Sequence, residues 1–382
     1  MCKDLLYKTI DNLSSKYLDF LCDIAKIESP TNSKAGVDKV LETILQKAQE
    51  LGFSTDVCLQ EVSGNCGTII YNENSTLPAV CFSGHMDTVH PIGTINVNPI
   101  KIVGDELYGP GVYDCKGGIV ASLMAMEALK ILGYATRPVK LILQSDEENS
   151  SIFSNKQTVK YMAEQAKGSI AFFNAEPFVP GYVSTERKGI IRYEFTITGK
   201  AAHSAKCFDG ANAILEASHK IIELEKFKDP DGITCNCGII SGGTVANTVP
   251  DTCSFVADIR FKTHAELNKI KETIKSVNDK ITVKGTISSV KEVSFRTAME
   301  KTERNELLLE KVNEIFAKYD MPTLIGRCGA GGSDAADMSC YGIPTLDSVG
   351  VRGKNMHSLN EFTYISSITE CAKMLALITM EI

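Results

Sequence analysis

The sequence lacks the features that mark several large classes of protein. No stretch approaches the roughly 20 apolar residues of a membrane-spanning helix, and no block of lysine and arginine occurs. The 47 acidic residues outnumber the 40 lysines and arginines, for a net charge of −7. A protein that binds nucleic acid usually presents a basic surface. We therefore expect neither a membrane nor a nucleic acid as partner.

Paired cysteines at metal-binding spacing are also missing. The 13 cysteines include no CxxC pair, and Cys235 and Cys237 stand without a second pair. The residues after Met1 contain no signal-peptide h-region. Scattered cysteines in such a chain are typical of small buried side chains that stay reduced. The pattern predicts a cytoplasmic protein.

Short continuous apolar runs at 78–83, 139–144 and 170–174 are typical of strands buried on both faces. Helical apolar spacing precedes and separates them, over 4–26, 37–51 and 117–132. Strands that alternate with helices favour an α/β domain with a mostly parallel sheet. A length of 382 residues leaves room for a second domain.

The pattern changes near residue 187, where strands with one polar face begin. The order strand, helix, strand, strand, helix, strand is that of a ferredoxin-like α+β module. After this module come a helix at 305–318, a buried strand near 345–349 and a last helix. We predict an α/β domain formed by residues 1–186 and 299–382, interrupted by an α+β domain at 187–298.

The strongest local motif, Ser83-Gly84-His85-Met86-Asp87-Thr88-Val89, ends a predicted buried strand. Ligands bind at this end of the strands in an open α/β sheet. His85 and Asp87 are two residues apart, so both side chains point the same way in an extended segment. The carboxylate can then orient the imidazole as a metal ligand. A hydrogen-bonded pair without metal is the alternative.

Acidic residues occupy equivalent places elsewhere. Glu147 and Glu148 follow the strand at 139–144, and Glu176 follows the next strand. Asp114 lies in a glycine-rich stretch at the start of a helix, and His357 lies in a late polar loop. Separately, each fits a solvated turn, and Lys116 even suggests a phosphate loop. The GxxxxGK[ST] spacing of such a loop is absent.

Together, these residues suit a metal site. Histidines and carboxylates without cysteine pairs are ligands for zinc, cobalt or manganese. A bridging carboxylate with further ligands for each ion would make a two-metal hydrolytic centre. Since Glu147 and Glu148 are neighbours, one can bind metal while the other remains a general base.

This arrangement closely resembles the di-metal amidohydrolase and metallopeptidase family that includes glutamate carboxypeptidase, acetylornithine deacetylase and succinyl-diaminopimelate desuccinylase. The resemblance runs motif by motif over nearly the whole chain. It implies one metal ion with three ligands, His85, Asp114 and Glu176. It implies a second ion, bridged to the first by Asp114, whose other ligands are Glu148 and His357. In the same way Asp87 resembles the residue that orients His85, and Glu147 resembles the general base.

The resemblance extends to the inserted domain, which it identifies as a lid and dimerisation domain. It implies that His203 stabilises the oxyanion, that Asn247 reaches the substrate and that Arg260 holds the substrate carboxylate. The glycine-rich loop resembles the family's substrate loop and contains Gly331, Gly332 and Ser333. Without the resemblance, His203 is a turn histidine, Arg260 pairs with Asp258 and the loop is a tight turn.

The expected activity is metal-dependent hydrolysis of an amide bond next to a free carboxylate, in a small peptide or an N-acyl amino acid. We expect two divalent ions, zinc first and cobalt or manganese as alternatives, in a homodimer formed through the lid. An N-acyl-amino-acid deacylase is the alternative within the class, and an inactive ligand-binding relative or a nucleotide-binding protein lies outside it. Cys115 and the run Asn149-Ser150-Ser151 depart from the family's pattern. These departures affect the expected loop geometry and substrate fit, not the metal ligands.

Overall fold

The structure, a computed structural model, describes residues 2–230 and 232–382. The chain divides into two compact units. Unit 1 comprises Met1–Thr185, Lys301–Cys328 and Ser333–Ile382, and unit 2 comprises Glu186–Glu300 and Gly329–Gly332. Met1 and Asp231, which fall within the predicted domains, lie outside the described residues.

Helices and strands alternate along most of the chain. The helices are α1 (Lys3–Ala25), α2 (Lys34–Glu50), α3 (Thr94–Val97), α4 (Lys116–Ile131), α5 (Gln157–Ala166), α6 (Ala213–Glu225), α7 (His264–Asp279), α8 (Glu303–Lys318), α9 (Asp334–Cys340) and α10 (Ile365–Glu381). The strands are β1 (Ser54–Cys58), β2 (Cys66–Tyr71), β3 (Val80–His85), β4 (Lys101–Val103), β5 (Glu106–Tyr108), β6 (Val139–Gln144), β7 (Ala171–Asn174), β8 (Tyr182–Arg187), β9 (Gly189–Thr198), β10 (Thr234–Gly242), β11 (Thr252–Phe261), β12 (Ile287–Arg296), β13 (Ile325–Gly329), β14 (Thr345–Asp347), β15 (Gly353–Lys354) and β16 (Phe362–Tyr364).

An eight-stranded sheet, in the order β1-β2-β6-β3-β7-β14-β8-β13, forms the centre of unit 1. Its four central strands, β6, β3, β7 and β14, run parallel. Every residue of β3 and β7 is buried, as expected for strands covered on both faces. Because β6, β3 and β7 are adjacent and parallel, the residues that follow them meet at one edge of the sheet.

Helix α4 lies in the core of unit 1, where it packs against α1 and α10. Its apolar residues face all directions and are buried almost to its end, the pattern of a helix enclosed by other elements. Helix α2 is capped by Ser33, whose side chain accepts the backbone N–H of Gly36, a common N-cap. A small antiparallel sheet of β15, β16, β5 and β4 completes the unit.

Unit 2 is built on an antiparallel sheet in the order β10-β11-β9-β12, with α6 and α7 between its strands in the sequence. Strands β9 and β11 alternate buried and exposed residues, so one face of the sheet packs on the helices. Helix α7 starts with a complete capping box formed by Thr263 and Glu266. This strand order and connectivity are those of a ferredoxin-like module.

The predicted fold class is confirmed, with a mostly parallel central sheet in one unit and a separate antiparallel sheet in the other. No helix in the described part of the chain is long and apolar enough to cross a membrane.

Candidate metal centre

His85 is the last residue of β3 and is almost completely buried. Its Nδ1 lies 2.9 Å from the backbone carbonyl oxygen of Asp87. A carbonyl only accepts, so Nδ1 carries a proton and Nε2 is the ring nitrogen left for a metal ion. Nε2 lies 3.0 Å from Asp114 Oδ1 and 3.6 Å from Glu176 Oε1. The ring is therefore held in the tautomer that a metal ligand requires.

Asp114, two residues before α4, faces two groups of side chains. Its Oδ1 faces His85, while its Oδ2 lies 3.2 Å from Nε2 of His357. The same His357 nitrogen lies 3.3 Å from Glu148 Oε2. The structure thus brings together all five residues that the sequence suggested as metal ligands, with Asp114 between the two sets.

Asp87 connects His85 to the acidic segment after β6. Its carboxylate is fully buried and lies 3.4 Å from His85 Nδ1. The same carboxylate accepts the backbone N–H groups of Glu147 and Glu148, each at 3.1 Å, and the hydroxyl of Thr31 at 2.8 Å. Asp87 therefore fixes the segment that carries the suggested base and the suggested ligand, in addition to its contact with the imidazole.

Burial and crowding of negative charge control the protonation of the site. Burial raises the pKa of Glu148 to about 7, although a hydrogen bond from His357 opposes the rise. Burial and then the charge of Asp114 raise the pKa of Glu176 well above its usual value. Hydrogen bonds to Asp114 and Glu148 raise the pKa of His357 to about 10. For Asp114, burial raises the pKa, but hydrogen bonds from His357 and His85 outweigh it and the pKa is lowered.

These residues fit a divalent cation. The Oε1 atom of Glu148 is buried and has no hydrogen-bond partner among the described residues, which is costly for a carboxylate oxygen. His85, Asp114 and Glu148 form one group whose ligand atoms all lie within 4.8 Å of one another. His85, Cys115 and Glu176 form another such group. A cation would compensate the clustered carboxylates and use the orphaned oxygen.

Cys115 occupies a position that sequence reasoning treated only as a departure from the family pattern. Its thiol is buried and donates to the backbone carbonyl of Ala175 at 3.1 Å. Burial raises the pKa of this thiol well above its ordinary value. Cys115 therefore connects the start of α4 to the segment just before Glu176.

Glu361 and His90 make contacts near the site that the sequence analysis did not predict. Glu361 Oε1 accepts the backbone N–H groups of Tyr113 and Asp114, at 2.9 and 3.0 Å. Its Oε2 accepts the N–H of Gly111 at 3.1 Å and lies 2.8 Å from His90 Nε2. This buried carboxylate supports the loop that carries Asp114. The only sequence signal for this supporting carboxylate was an acidic residue shortly after His357.

In unit 2, the segments that carry His203 and Asn247 lie side by side. The N–H of Ser204 donates to the carbonyl of Asn247 at 2.9 Å, and His203 pairs with Thr248 in an isolated bridge. The exposed ring of His203 accepts the N–H of Ala205 on Nδ1 at 3.1 Å. Nδ1 is then the acceptor, so the proton of the neutral ring resides on Nε2.

Arg260 and the glycine-rich loop have partners of their own. The guanidinium of Arg260 donates to both carboxylate oxygens of Asp258, at 2.7 and 3.3 Å. Arg187 donates to the carbonyl of Gly331 at 3.3 Å. A Cβ on Gly332 would lie 2.3 Å from Arg296 Cδ, so a larger residue here would require the Arg296 side chain to move.

Ser333 is completely buried in unit 1. It is the N-cap of α9, where its hydroxyl accepts the N–H of Ala335 at 3.2 Å and the side-chain N–H of Asn174 at 2.9 Å. These contacts give Ser333 a structural role at the start of the helix.

Histidines and carboxylates gathered at the carboxyl edge of a parallel sheet are typical of a metal-dependent hydrolase. Residues 81–381 match the sequence profile described as Peptidase family M20/M25/M40. Because the match spans most of the chain, the protein belongs to this family. The predicted recognition is confirmed, and the protein is a hydrolase that acts on amide bonds.

Curated relatives agree with this assignment. Carboxypeptidase G2 of Pseudomonas sp. (strain RS-16) is 28% identical over 306 residues, which cover 78% of this chain and 72% of that protein. A probable succinyl-diaminopimelate desuccinylase of Staphylococcus aureus (strain MRSA252) is 26% identical over 280 residues, 64% of this chain and 67% of the relative.

Solved structures show the same fold at low sequence identity. Aminopeptidase PepT from Bacillus cereus ATCC 10987 superposes with a TM-score of 0.78 at 20% identity, over 96% of this chain and 98% of that one. The M20 family metallo-carboxypeptidase Sso-CP2 from Sulfolobus solfataricus gives 0.77 at 17% identity, with the same coverage.

Proposed function

We propose that the protein hydrolyses an amide bond adjacent to a free carboxylate, in small peptides or N-acyl amino acids. The observation that supports this most directly is the position of Asp114. One of its oxygens lies 3.0 Å from His85 and the other lies 3.2 Å from His357. A carboxylate between two sets of ligands is the arrangement that a two-metal hydrolytic centre needs.

In this proposal, two divalent ions are bound, with zinc as the first candidate. His85, Asp114 and Glu176 would hold one ion. Asp114, Glu148 and His357 would hold the other. When bound, such ions polarise a carbonyl, activate water and stabilise developing negative charge.

Glu147 is the proposed general base. It directly precedes the proposed ligand Glu148, and its backbone N–H is fixed by Asp87 Oδ1 at 3.1 Å. Glu147 is only 8% exposed, so few water molecules compete for its carboxylate. It would take a proton from the attacking water and return it to the leaving amine. Asp87 would keep both His85 and this segment in position.

Substrate recognition is proposed for residues of unit 2 and the loop at 331–333. Arg260 would grip the substrate carboxylate, since a guanidinium binds a carboxylate through two parallel hydrogen bonds. The substrate carboxylate would displace that of Asp258, which now accepts both hydrogen bonds from the guanidinium. Asn247 would contact the substrate, His203 would donate to the oxyanion from Nε2, and the backbone of Gly331, Gly332 and Ser333 would line the substrate loop.

Unit 2 is proposed as a lid and dimerisation domain. Strand β10 is an edge strand of its sheet, and Ile239 and Ile240 on it are 65% and 54% exposed. An exposed apolar edge strand is a ready site for pairing with a second copy. We also propose a cytoplasmic location, because the free cysteines are distributed without a disulfide among the described residues.

Release of amine from a panel of dipeptides and N-acyl amino acids tests the proposal, with zinc- or cobalt-loaded protein. Turnover of C-terminal peptides supports a carboxypeptidase, as the name of the Pseudomonas relative suggests. Turnover limited to acyl amino acids supports a deacylase, the second candidate, which the desuccinylase relative favours. Bound metal without any turnover refutes the proposed substrate class, and absence of both favours an inactive relative.

A further inference from the structure

The segment at 27–31, here called the strap, runs beside the residues that follow β3. The hydroxyl of Ser29 donates to the backbone carbonyl of Met86 at 2.7 Å, and the carbonyl of Ser29 accepts the N–H of Thr88 at 2.9 Å. The N–H of Thr31 donates in turn to the carbonyl of Thr88 at 3.3 Å. Ser29 is completely buried. These hydrogen bonds hold the strap against this part of the chain.

Lys116 fixes the beginning of the strap. This lysine is completely buried, and its ammonium donates to the backbone carbonyls of Ile24 and Ile27, at 3.2 and 2.9 Å. Ile24 lies in the last turn of α1, where carbonyls lie beyond the reach of the N–H groups of the helix. Lys116 is the first residue of α4. It therefore connects the strap to the start of the helix that follows the proposed bridging ligand.

The strap brings Thr31 to the carboxylate of Asp87. Thr31 is 8% exposed, and its hydroxyl donates to Asp87 Oδ2 at 2.8 Å. The same oxygen accepts the N–H of Glu148 at 3.1 Å. The other oxygen, Oδ1, accepts the N–H of Glu147 at 3.1 Å and lies 3.4 Å from His85 Nδ1. Among the described residues, Thr31 therefore supplies one of the two hydrogen bonds on Oδ2.

The hydroxyl of Thr31 determines how this carboxylate is turned. The terminal torsion of an aspartate is broad, so its hydrogen bonds, and not its rotamer, fix the plane of the carboxylate. Without the hydroxyl, a buried carboxylate oxygen would lose a donor, which is unfavourable. The plane could then turn and move Oδ1 relative to the imidazole of His85. A group that orients a ligand in this way affects metal binding without contact with the ion.

We propose that Thr31 is a positioning residue of the metal centre. Its hydroxyl fixes the plane of the Asp87 carboxylate and, through it, the imidazole of His85. This inference rests on the proposed function and extends the centre to the strap. Serine keeps the hydroxyl at this position, whereas valine has the shape of threonine without the donor. The two substitutions therefore separate the hydrogen bond from the packing.

Cobalt titration of the metal-free protein, followed by visible absorbance, gives the first test. Thr31→Val should weaken cobalt binding by about tenfold, the lower end of the usual cost of losing a group that positions a ligand, and should shift the absorption bands. Thr31→Ser should bind cobalt as the unaltered protein does. Thr379→Val is the matched control, since Thr379 is 1% exposed and its hydroxyl donates to the carbonyl of Leu375 within α10.

Circular dichroism checks that each variant is folded. If Thr31→Val does not fold, Thr31→Ala takes its place, because alanine also lacks the hydroxyl and puts no methyl group against the carboxylate.

Turnover of the best substrate by the cobalt-saturated protein gives the second test. Thr31→Val should lower kcat several-fold with KM nearly unchanged, because the change acts on the imidazole that holds metal and not on substrate binding. Thr31→Ser should restore kcat. A residue that only stabilises the fold would not produce this division between kcat and KM.

Equal cobalt affinities and equal spectra for Thr31→Val and Thr379→Val overturn the positioning role. Equal losses in Thr31→Ser and Thr31→Val also overturn it, because they would show that packing and not the hydroxyl is responsible. Affinities in the expected order without turnover of any compound support the positioning role and refute the proposed function. Normal turnover together with equal affinities refutes the positioning role alone.

Discussion

The carboxylate of Glu361 accepts a hydrogen bond from the backbone N–H of Asp114 at 3.0 Å, although 247 residues separate them in sequence. Glu361 follows shortly after His357, a proposed ligand of the same ion as Asp114. One loop therefore carries a proposed ligand and also supports the loop that carries the proposed bridge. His90 contacts the same carboxylate at 2.8 Å.

Glu361→Gln should weaken metal binding by about 10- to 100-fold, the usual cost of losing a group that positions a ligand. The amide keeps one acceptor oxygen, whereas the carboxylate uses both of its oxygens on backbone N–H groups. Titration of the metal-free protein with cobalt, followed by visible absorbance, measures the affinity. Glu370→Gln is the control, because this glutamate pairs with Arg352 and its side chain is 55% exposed. Affinity equal to that of the control would show that Glu361 does not position Asp114.

Asp114→Asn and His357→Ala should differ in metal content. Asp114 contacts both ligand sets, so its replacement should remove both ions. His357 contacts only the set with Glu148, and its replacement should leave one ion. Mass spectrometry of the metals per chain, with circular dichroism to confirm folding, measures the outcome. Two ions retained by folded Asp114→Asn would exclude a bridging role.

Much of the site could be predicted from sequence, because its residues follow strands with a clear apolar pattern. His85 ends β3, Glu148 and Glu176 follow β6 and β7, and parallel strands bring such residues to one edge. The α+β module was also predictable, since β9 and β11 alternate and its helices have regular apolar spacing.

Other features depend on contacts that no local pattern shows. Strands β4, β5 and β16 have three residues each and β15 has two, too few for a periodicity to appear. Glu361 and His90 meet only because the chain folds back over their separation of 271 residues.

Ile239→Asp should convert a homodimer to a monomer, because a charge at an exposed edge strand opposes pairing. Light scattering should give twice the 41.5 kDa chain mass for the unaltered protein and the chain mass for the variant. Ile102→Asp is the control: Ile102 is 50% exposed in β4, an edge strand of unit 1. A monomeric unaltered protein, or a dimer that survives Ile239→Asp, would contradict dimerisation through β10.

Glu216→Gln should destabilise unit 2 in a pH-dependent manner. Glu216 is fully buried, lies 3.1 Å from Lys220 Nζ and accepts the N–H groups of Thr282 and Val283. Burial raises its pKa, but the hydrogen bonds outweigh this and the pKa is lowered. The folded value lies below the unfolded value of about 4.3, so the stabilisation is present above that pH and is lost as the pH falls through the folded value.

At pH 7, denaturant unfolding should show that Glu216→Gln lowers the free energy of unfolding by about 3 kcal/mol, as for other broken buried pairs. The difference from the unaltered protein should shrink as the pH falls below about 4. Glu223→Gln on the same helix is the control, since its pair with Lys226 is exposed and contributes little. A deficit that stays constant from pH 7 to pH 3 would show that ionised Glu216 is not the source of the stabilisation.

The most direct test of the central claim is Glu147→Gln, with metal content and amine release measured on the same sample. A general base that is not a ligand should be dispensable for metal binding. The variant should keep two ions per chain, while turnover of the best substrate falls by at least about 10²-fold. Loss of an ion would show that Glu147 binds metal and Glu148 does not have the role assigned to it. Two ions with undiminished turnover would show that the proton is transferred by another group.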